Sequence, residues 1–500
     1  MSLSPSTSDV EKNSVRKPSL DSDAEVEKTP GVMLDTQIID EATNTRILRK
    51  IDLCLMPLMM FIYVVQFMDK STNSLASVMG MRQDLGMKGD DYSWSGTAFY
   101  IGYLAFEFPA VFMLQKFPMA KTLSVFVVLW GMVLCCHAVP RFGGFIALRT
   151  ILGVLESAVT PAFVILTAQW YKREEQFLRT SIWFASNGLG LILGSLVAYG
   201  LTENHHLPMH GWKLLFIITG VLTMALGIVI FFHIPDDPSK AWFLNEEERK
   251  LVLARIASNQ QGFENKTFKK EQVWEALTDI RTWLYFLFSV SNNIPNGGLT
   301  NFSTILLSET IGLGPTRALL MQTPQGGVEF VGCIFLGWVV QRTERRCLIA
   351  TIAQAIALVA SCLLAFLPHS QGAGLCGLYL VMLYPIGLIC VLSLVASNTA
   401  GHTKKISVNA ILLIGYCLGN LLGPQTFRAE DAPAYTAAKI CIVVFFGLAI
   451  GITMLIWFVN VRENRRRDQL YGGDITEAEL HELQTADLTD RQNKHFRYAF

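Results

Sequence analysis

FIALRTILGVLESAVTPAFVILTAQ, residues 145–169, is the stretch that decides the fold. It is apolar over a length that crosses a bilayer, which takes about 20 helical residues. It also carries one arginine and one glutamate, Arg149 and Glu156. Charge inside such a span costs about 2.5–3.5 kcal/mol per residue even on the lenient insertion scale. Seven residues apart, the two lie about two turns and about 10 Å from each other on one helix face. A membrane helix with such a pair either ties itself to a neighbouring helix or uses the charges.

The rest of the chain is of the same kind. Of 500 residues, 51% are hydrophobic and only 16% are charged, the balance of a polytopic membrane protein. The formal net charge is zero, so the chain has no basic field for nucleic acid. There is no Gly-rich phosphate loop, no His/Cys ligand cluster and no nucleophile elbow. An enzyme, a metal and a cofactor are therefore not expected. The ten cysteines fall in or beside apolar runs without metal spacing, as small core residues do.

Length and flanking charge give twelve apolar spans: 51–76, 94–115, 121–139, 145–169, 177–200, 213–233, 281–306, 316–340, 347–367, 374–396, 406–424 and 437–460. The expected organisation is a disordered polar tail (1–45), a six-helix bundle (46–233), a linker with amphipathic helices (234–280), a second six-helix bundle (281–460) and a C-terminal tail (461–500). In the linker, Asn245 is placed to cap a helix with an acidic first turn, and EQVWEALTDIRTW suggests another. Cations cluster in alternate loops: Arg46, Arg49 and Lys50; Lys116 and Lys121; Lys172, Arg173 and Arg179; Arg342, Arg345 and Arg346; Lys404 and Lys405; and Arg462 to Arg467. The positive-inside rule then puts both termini in the cytosol. The first outer loop, with Lys70, Arg82 and Lys88, runs against that trend.

The two halves repeat weakly. LQKFPMAK (114–121) and GWVVQRTERR (337–346) occupy the same turn of their respective halves. A duplicated six-helix unit is how one large transporter class is built. GWVVQRTERR is similar to the G-x-x-x-D-R-x-x-R-R loop of the major facilitator superfamily, with Gln341 where Asp is usual. FYIGYLAFEFPAVFMLQKFPMAK, LRTILGVLESAVTPAF, QWYKREEQFLRTSIWFASNGLG, SNTAGHTKKISVNAILLIGYCLGNLLGPQTF and the terminal DLTDRQNKHFRYAF resemble the fungal allantoate permease family of anion:cation symporters. The resemblance implies an all-α major facilitator fold with pseudo-two-fold symmetry. It also implies proton-driven uptake of a small organic anion, such as allantoate, a vitamin or a short peptide.

Asp69 and Lys70 end the apolar part of span 1. Counted from Ile51, Asp69 lies about 27 Å along a straight helix, near the outer interface, where a snorkelling pair would sit. The resemblance implies instead a pair facing a central cavity, with Asp69 a proton site and Lys70 meeting the substrate carboxylate. It likewise implies a proton site at Glu156 and an anion contact at Arg149, whose planar fork suits a carboxylate. Glu107 in span 2 is part of the family pattern and fits packing, gating or coupling. Glu329 in span 8 either pairs with a base or tunes the substrate, and Glu309 fits an interface. Polar cavity candidates are Asn187, Asn293, Asn398, Asn420, Tyr100 and Tyr384, although membrane Asn is as often a bond between helices. Arg342, Arg345, Arg346 and His402 fit a cytoplasmic gate.

Span 5, SIWFASNGLGLILGSLVAYG, lacks the proline of the superfamily's drug-exporter signature, which favours symport. The expected protein is a monomeric proton:anion symporter of the plasma membrane, with the bilayer, a proton and an organic anion as partners. The competing expectation is an exporter or antiporter of a metabolite.

Overall fold

The structure, a computed structural model, describes residues 40–139, 141–204, 206–260, 268–367, 370–471 and 488–500. The expected N-terminal tail lies outside the described residues up to position 39. Every described regular element is helical. In a bilayer a chain that satisfies each backbone group within its own segment has few other choices.

The first half comprises α1 (Glu41–Ala76), α2 (Arg82–Asp84), α3 (Asp91–Lys116), α4 (Met119–Cys136), α5 (Phe142–Glu156), α6 (Val159–Trp170), α7 (Arg173–Glu203) and α8 (Gly211–His233). A π-helical turn, Ser77–Met81, joins α1 to α2 across a kink at Gly80, whose φ is 100°. Helices α9 (Glu246–Gln260) and α10 (Lys270–Thr278) follow. The second half comprises α11 (Ile280–Ile305), α12 (Pro315–Leu320), α13 (Thr323–Thr343), α14 (Arg346–Phe366), α15 (Gln371–Leu380), α16 (Pro385–Asn398), α17 (His402–Gln425) and α18 (Thr436–Tyr471). With α5–α6 and α15–α16 each forming one crossing, these make the twelve spans of a multi-pass membrane protein. Ten are long and apolar enough to be recognised by composition alone. The other two, α11 and α13, carry Asn, Ser, Gln and Glu on buried faces.

Several boundaries differ from expectation for local reasons. Span 4 breaks after Glu156 because Pro161 has no N–H to offer the Ser157 carbonyl one turn back. Span 8, expected to begin at 316, divides at Met321–Gln322, and Pro324 opens α13. Helix α18 continues past 460 to Tyr471. Residues 488–500 fold back onto the bundle, with Tyr498 buried.

The end of the bundle bearing Glu41 and Tyr471 is the terminal face; the opposite end is the distal face. On the terminal face the linker divides between the halves. The Asn245 N–H donates to Glu248 at 3.1 Å, one arm of a capping box. Glu248 in turn takes Lys50 at 2.7 Å, and Arg255 meets Glu175, so α9 is riveted to the first half. Helix α10 is riveted to the second half through Glu275 and Lys404 at 2.9 Å.

The halves meet along α7 and α13, α1 and α11, and α3 and α17. At the α7–α13 crossing, a Cβ on Gly188 would lie 2.2 Å from the Gly326 carbonyl oxygen. Only glycine allows that approach. Within the first half, a Cβ on Gly102 or Gly153 would lie 1.9 Å from a carbonyl oxygen of the facing helix. That contact brings α5 close enough to α3 for Arg149 to reach it.

Candidate functional site

Four charged side chains converge inside the first half. Arg149, on α5, is 2% exposed; its Nε donates to the Ser95 carbonyl at 3.3 Å. Its guanidinium lies 5.3 Å from the centre of the Phe99 ring, and Lys70 Nζ lies 5.9 Å from the same ring. Lys70 Nζ is 3.6 Å from Glu156 Oε2, at the last residue of α5. Asp69 points the other way around α1 and accepts from Thr223 Oγ1 of α8 at 3.1 Å. Asp69 and Glu156 are both 0% exposed, so neither faces lipid. Arg149 and Glu156 share a helix but do not pair directly; each meets a different helix.

Asp69 is therefore packed inside the bundle rather than exposed at the end of a helix. Measuring from Ile51 assumed that the apolar stretch and the bilayer coincide. The helix continues to Met79, about 15 Å beyond Asp69, before the kink at Gly80. The polar residues after Lys70 that suggested an interface are buried against the other half: Asn73 Nδ2 donates to Asn301 Oδ1 (3.1 Å) and Ser74 Oγ to Thr304 Oγ1 (3.0 Å). Lys70 lies within the helix rather than in a loop.

The quartet holds unspent bonding capacity. Asp69 Oδ1, both carboxylate oxygens of Glu156 and Arg149 Nη1 are buried without a hydrogen bond. A buried charge left partly unsatisfied is costly, and such groups cluster where a ligand or proton is exchanged. Cations flanking an aromatic face beside two carboxylates offer an anion two donors, and offer a proton two acceptors that compete for those donors.

Tyrosines form the wall between the halves. Tyr100 and Tyr103 of α3 have ring centres 6.5 and 6.3 Å from that of Tyr416 on α17. Just below, Cys417 Sγ donates to Glu107 Oε2 at 3.4 Å, so Glu107 sits on the α3–α17 seam. The second half contributes an amide cluster. Asn296 Nδ2 donates to Asn420 Oδ1 at 2.8 Å, Asn420 Nδ2 donates to Asn293 Oδ1 at 3.4 Å, and Tyr384 donates its hydroxyl to Asn296. Asn187 is buried on α7 beside Gly188, and Glu329 is buried on α13 with Oε2 unbonded.

The remaining candidates lie on the terminal face. Asn398 is spent on the backbone of Ala499, accepting from its N–H at 2.7 Å and donating to its carbonyl at 2.9 Å. Its position at the end of α16 takes it away from the amide cluster. Arg346 donates to Ser397 at 2.7 Å, Arg342 lies over Trp338 at 5.6 Å, Arg345 is exposed before α14, and His402 opens α17.

Several functional neighbours carried no sequence signal. Phe99 and Thr223 look like ordinary membrane-helix residues. Asn296 could have been found from the density of Asn in NNIPNGGLTN. The distal closure was also missed: Tyr92 donates to the Asn301 carbonyl at 2.6 Å, and Arg82 pairs with Glu309 across the halves.

The family model of the Major Facilitator Superfamily matches residues 59–424. An uncharacterized transporter of Schizosaccharomyces pombe is 51% identical over 469 residues, covering 93% of this chain and 91% of that protein. The allantoate permease of Saccharomyces cerevisiae is 48% identical over 463 residues, covering 90% and 85%. Among solved structures, the proton:xylose symporter XylE bound to 6-bromo-6-deoxy-D-glucose superposes with a TM-score of 0.64 at 14% identity, over 83% of this chain and 96% of that one, a likeness of fold alone. The twelve-span helical fold and these relatives together assign the chain to the major facilitator superfamily, in the group of fungal membrane transporters that includes allantoate permease.

Proposed function

We propose that this chain carries a small organic anion into the cell together with protons, by alternating access of a mid-membrane site. The observation that carries the reading is the buried quartet: Lys70 3.6 Å from Glu156, with Arg149 and Lys70 on one Phe99 ring and Asp69 one residue away. The relationship to allantoate permease supports an anion of that general class. In this scheme a proton on Glu156 cancels its hold on Lys70, and a proton on Asp69 leaves Thr223 as a neutral partner. Lys70 and Arg149 are then free to hold a carboxylate. The amides of Asn293, Asn420 and Asn296, with Tyr384, face the neutral part of the substrate from the other half. The loaded halves rock about the Gly188–Gly326 contact, release anion and proton on the far side, and return empty. The terminal face is taken as cytosolic and the membrane as the plasma membrane.

The test is flux in sealed proteoliposomes. A panel of labelled carboxylates, ureides, vitamins and dipeptides is presented with an imposed pH gradient, inside alkaline. Accumulation of an anion that collapses with a protonophore supports symport. Accumulation only with the gradient reversed would replace uptake by export.

A further inference from the structure

Residues 488–500 make the contacts of a bound peptide on the terminal face of the second half. Its backbone is read by amides. Asn398 brackets the N–H and carbonyl of Ala499, and Asn464 brackets those of Tyr498 at 2.9 and 2.8 Å. The side-chain anchor is Tyr498, 2% exposed, whose ring centre is 3.7 Å from the Arg281 guanidinium and 4.9 Å from that of Arg467. Its hydroxyl donates to Asp490 at 2.8 Å, and Asp490 takes the buried Lys404 at 2.7 Å. The peptide thus joins the terminal ends of α11, α16, α17 and α18 at one place.

The charged groups of the dock also have partners within the bundle. Lys404 keeps Asp279 at 3.0 Å and Glu275 at 2.9 Å. Arg281 keeps Asn460 at 3.1 Å, and Arg467 keeps Glu463 at 3.0 Å. Each charged group of the dock has a partner within the bundle that does not depend on the peptide. On the peptide, Asp490 and the Tyr498 hydroxyl regain water when they leave. Release therefore strands no charge in the dock, and what it gives up is the burial of the Tyr498 ring and Ala499.

We propose that residues 488–500 are a releasable strap for this groove, and that seating it makes the second half move as one lever. Released, the end of α16 loses its tie to the end of α18, and turnover slows while the mid-membrane site is unchanged. The proposal rests on the transport reading only for its flux readout.

The experiment compares the full chain with one ending at Asp487, with Tyr498→Ala and with Tyr498→Phe, in proteoliposomes at matched amounts. Flux is measured alongside maleimide labelling of Cys347, followed by peptide mass spectrometry. Cys347 is buried in an apolar cluster against which Ala499 packs. In the truncated chain and Tyr498→Ala, labelling of Cys347 speeds up about tenfold and maximal flux falls about fivefold, with KM held within about twofold; Tyr498→Phe, which keeps the ring, stays near the full chain. Synthetic peptide 488–500, added near the millimolar effective concentration of a tethered segment, restores protection of Cys347, and the same peptide with Tyr498→Ala does not. Unchanged labelling in the truncated chain overturns the strap, as does a fall in flux without faster labelling. Should the truncated chain fail to insert, the two Tyr498 variants carry the same comparison. Faster labelling in a protein that moves no anion leaves the strap standing and sinks the transport reading.

Discussion

Replacing Glu156 by Gln removes one charge and almost no volume from the centre of the quartet. Lys70 Nζ lies 3.6 Å from Glu156 Oε2, with side-chain exposures of 13% and 0%. At that distance and an effective dielectric of about 20, the attraction is about 4–5 kcal/mol. Breaking a buried pair by removing one partner costs about 3–5 kcal/mol, because the other charge is stranded. In Glu156→Gln, Lys70 is stranded only while the site is empty; a bound carboxylate repairs it. The variant should therefore bind anion at least as well as the native chain and exchange it across the membrane at a comparable rate. What it loses is the link to protons. Each pH unit is worth about 1.36 kcal/mol per proton, so a gradient of about two units supports up to about 100-fold accumulation with one coupled proton. Labelled anion in proteoliposomes under that gradient should rise well above equilibrium for the native chain and stop at equal concentrations for Glu156→Gln. Counterflow against unlabelled anion should persist in both. Native accumulation in the variant would refute Glu156 as a coupling site. Loss of counterflow as well as accumulation, in a folded protein, would make Glu156 a structural tie for Lys70.

Arg149→Lys keeps the charge but loses the fork and the contact with the Ser95 carbonyl; a charge-assisted hydrogen bond worth about 1.5–3 kcal/mol predicts a KM raised about 10- to 100-fold in uptake assays, with the fold intact. Gly188→Ala places a Cβ 2.2 Å from the Gly326 oxygen; overpacking of about 1–3 kcal/mol should lower Tm and abolish flux, whereas Gly327→Ala, with nothing within 4 Å, should be silent in both measurements. Arg82→Ala removes a partly exposed ion pair with Glu309, 26% and 31% exposed; at about 0.2–1 kcal/mol it should raise reagent access to a cysteine placed near Asn73 by only about 1.5- to 5-fold. Burial pushes the carboxyl of Asp279 up, but Lys404, Arg281 and Arg491 more than offset it and hold it below the usual carboxylate range. A carboxyl held low contributes stability above its unfolded value and loses it as pH falls through its folded one. Thermal stability should therefore be flat in this respect from pH 8 to pH 5 and fall only below the ordinary Asp value of about 3.9, and Asp279→Asn should shrink that acid step.

The twelve spans were legible because lipid demands long apolar helices, and the polar linker between the sixes is a composition change. Legibility failed where a helix end is set by something other than lipid. The polar end of α1 stays buried because it finds hydroxyls and amides in α11, and α18 runs on where the returning peptide covers it. The four charges could be named from sequence because charge in a span is expensive enough to stand out. Neutral partners could not. Thr223 and Phe99 belong to residue types found throughout membrane helices, and what selects them is the rotation of α8 and α3. Asn398 failed for the complementary reason: its helix gave the span, but not that it ends on the terminal face beside Ala499. Lys404 looked like one more inside-positive charge, and its burial among Glu275, Asp279 and Asp490 depends on segments more than 80 residues away.

The kinds of bond used at each depth bear on how such a molecule can move. Between the halves the distal end is closed mainly by neutral groups: Asn73 with Asn301, Ser74 with Thr304, Tyr92 with the Asn301 carbonyl, and Ser93 with the Phe427 carbonyl at 2.9 Å. A neutral hydrogen bond contributes about 0.5–1.5 kcal/mol net, because water replaces it when it breaks. A seam of such bonds holds shut yet opens without stranding a charge. Among the described residues the fully buried charges of the quartet stay within one half, Lys70 with Glu156 and Asp69 with Thr223, and the ion pair that crosses the halves, Arg82 with Glu309, is partly exposed, so water takes it over on opening. The close backbone contact between the halves at Gly188 and Gly326 offers a pivot with nothing polar to break. In the proposed cycle, rocking exchanges hydrogen bonds for water at the distal end and leaves the charged quartet whole, so that the proton and the anion, rather than the motion itself, decide when Lys70 lets go of Glu156.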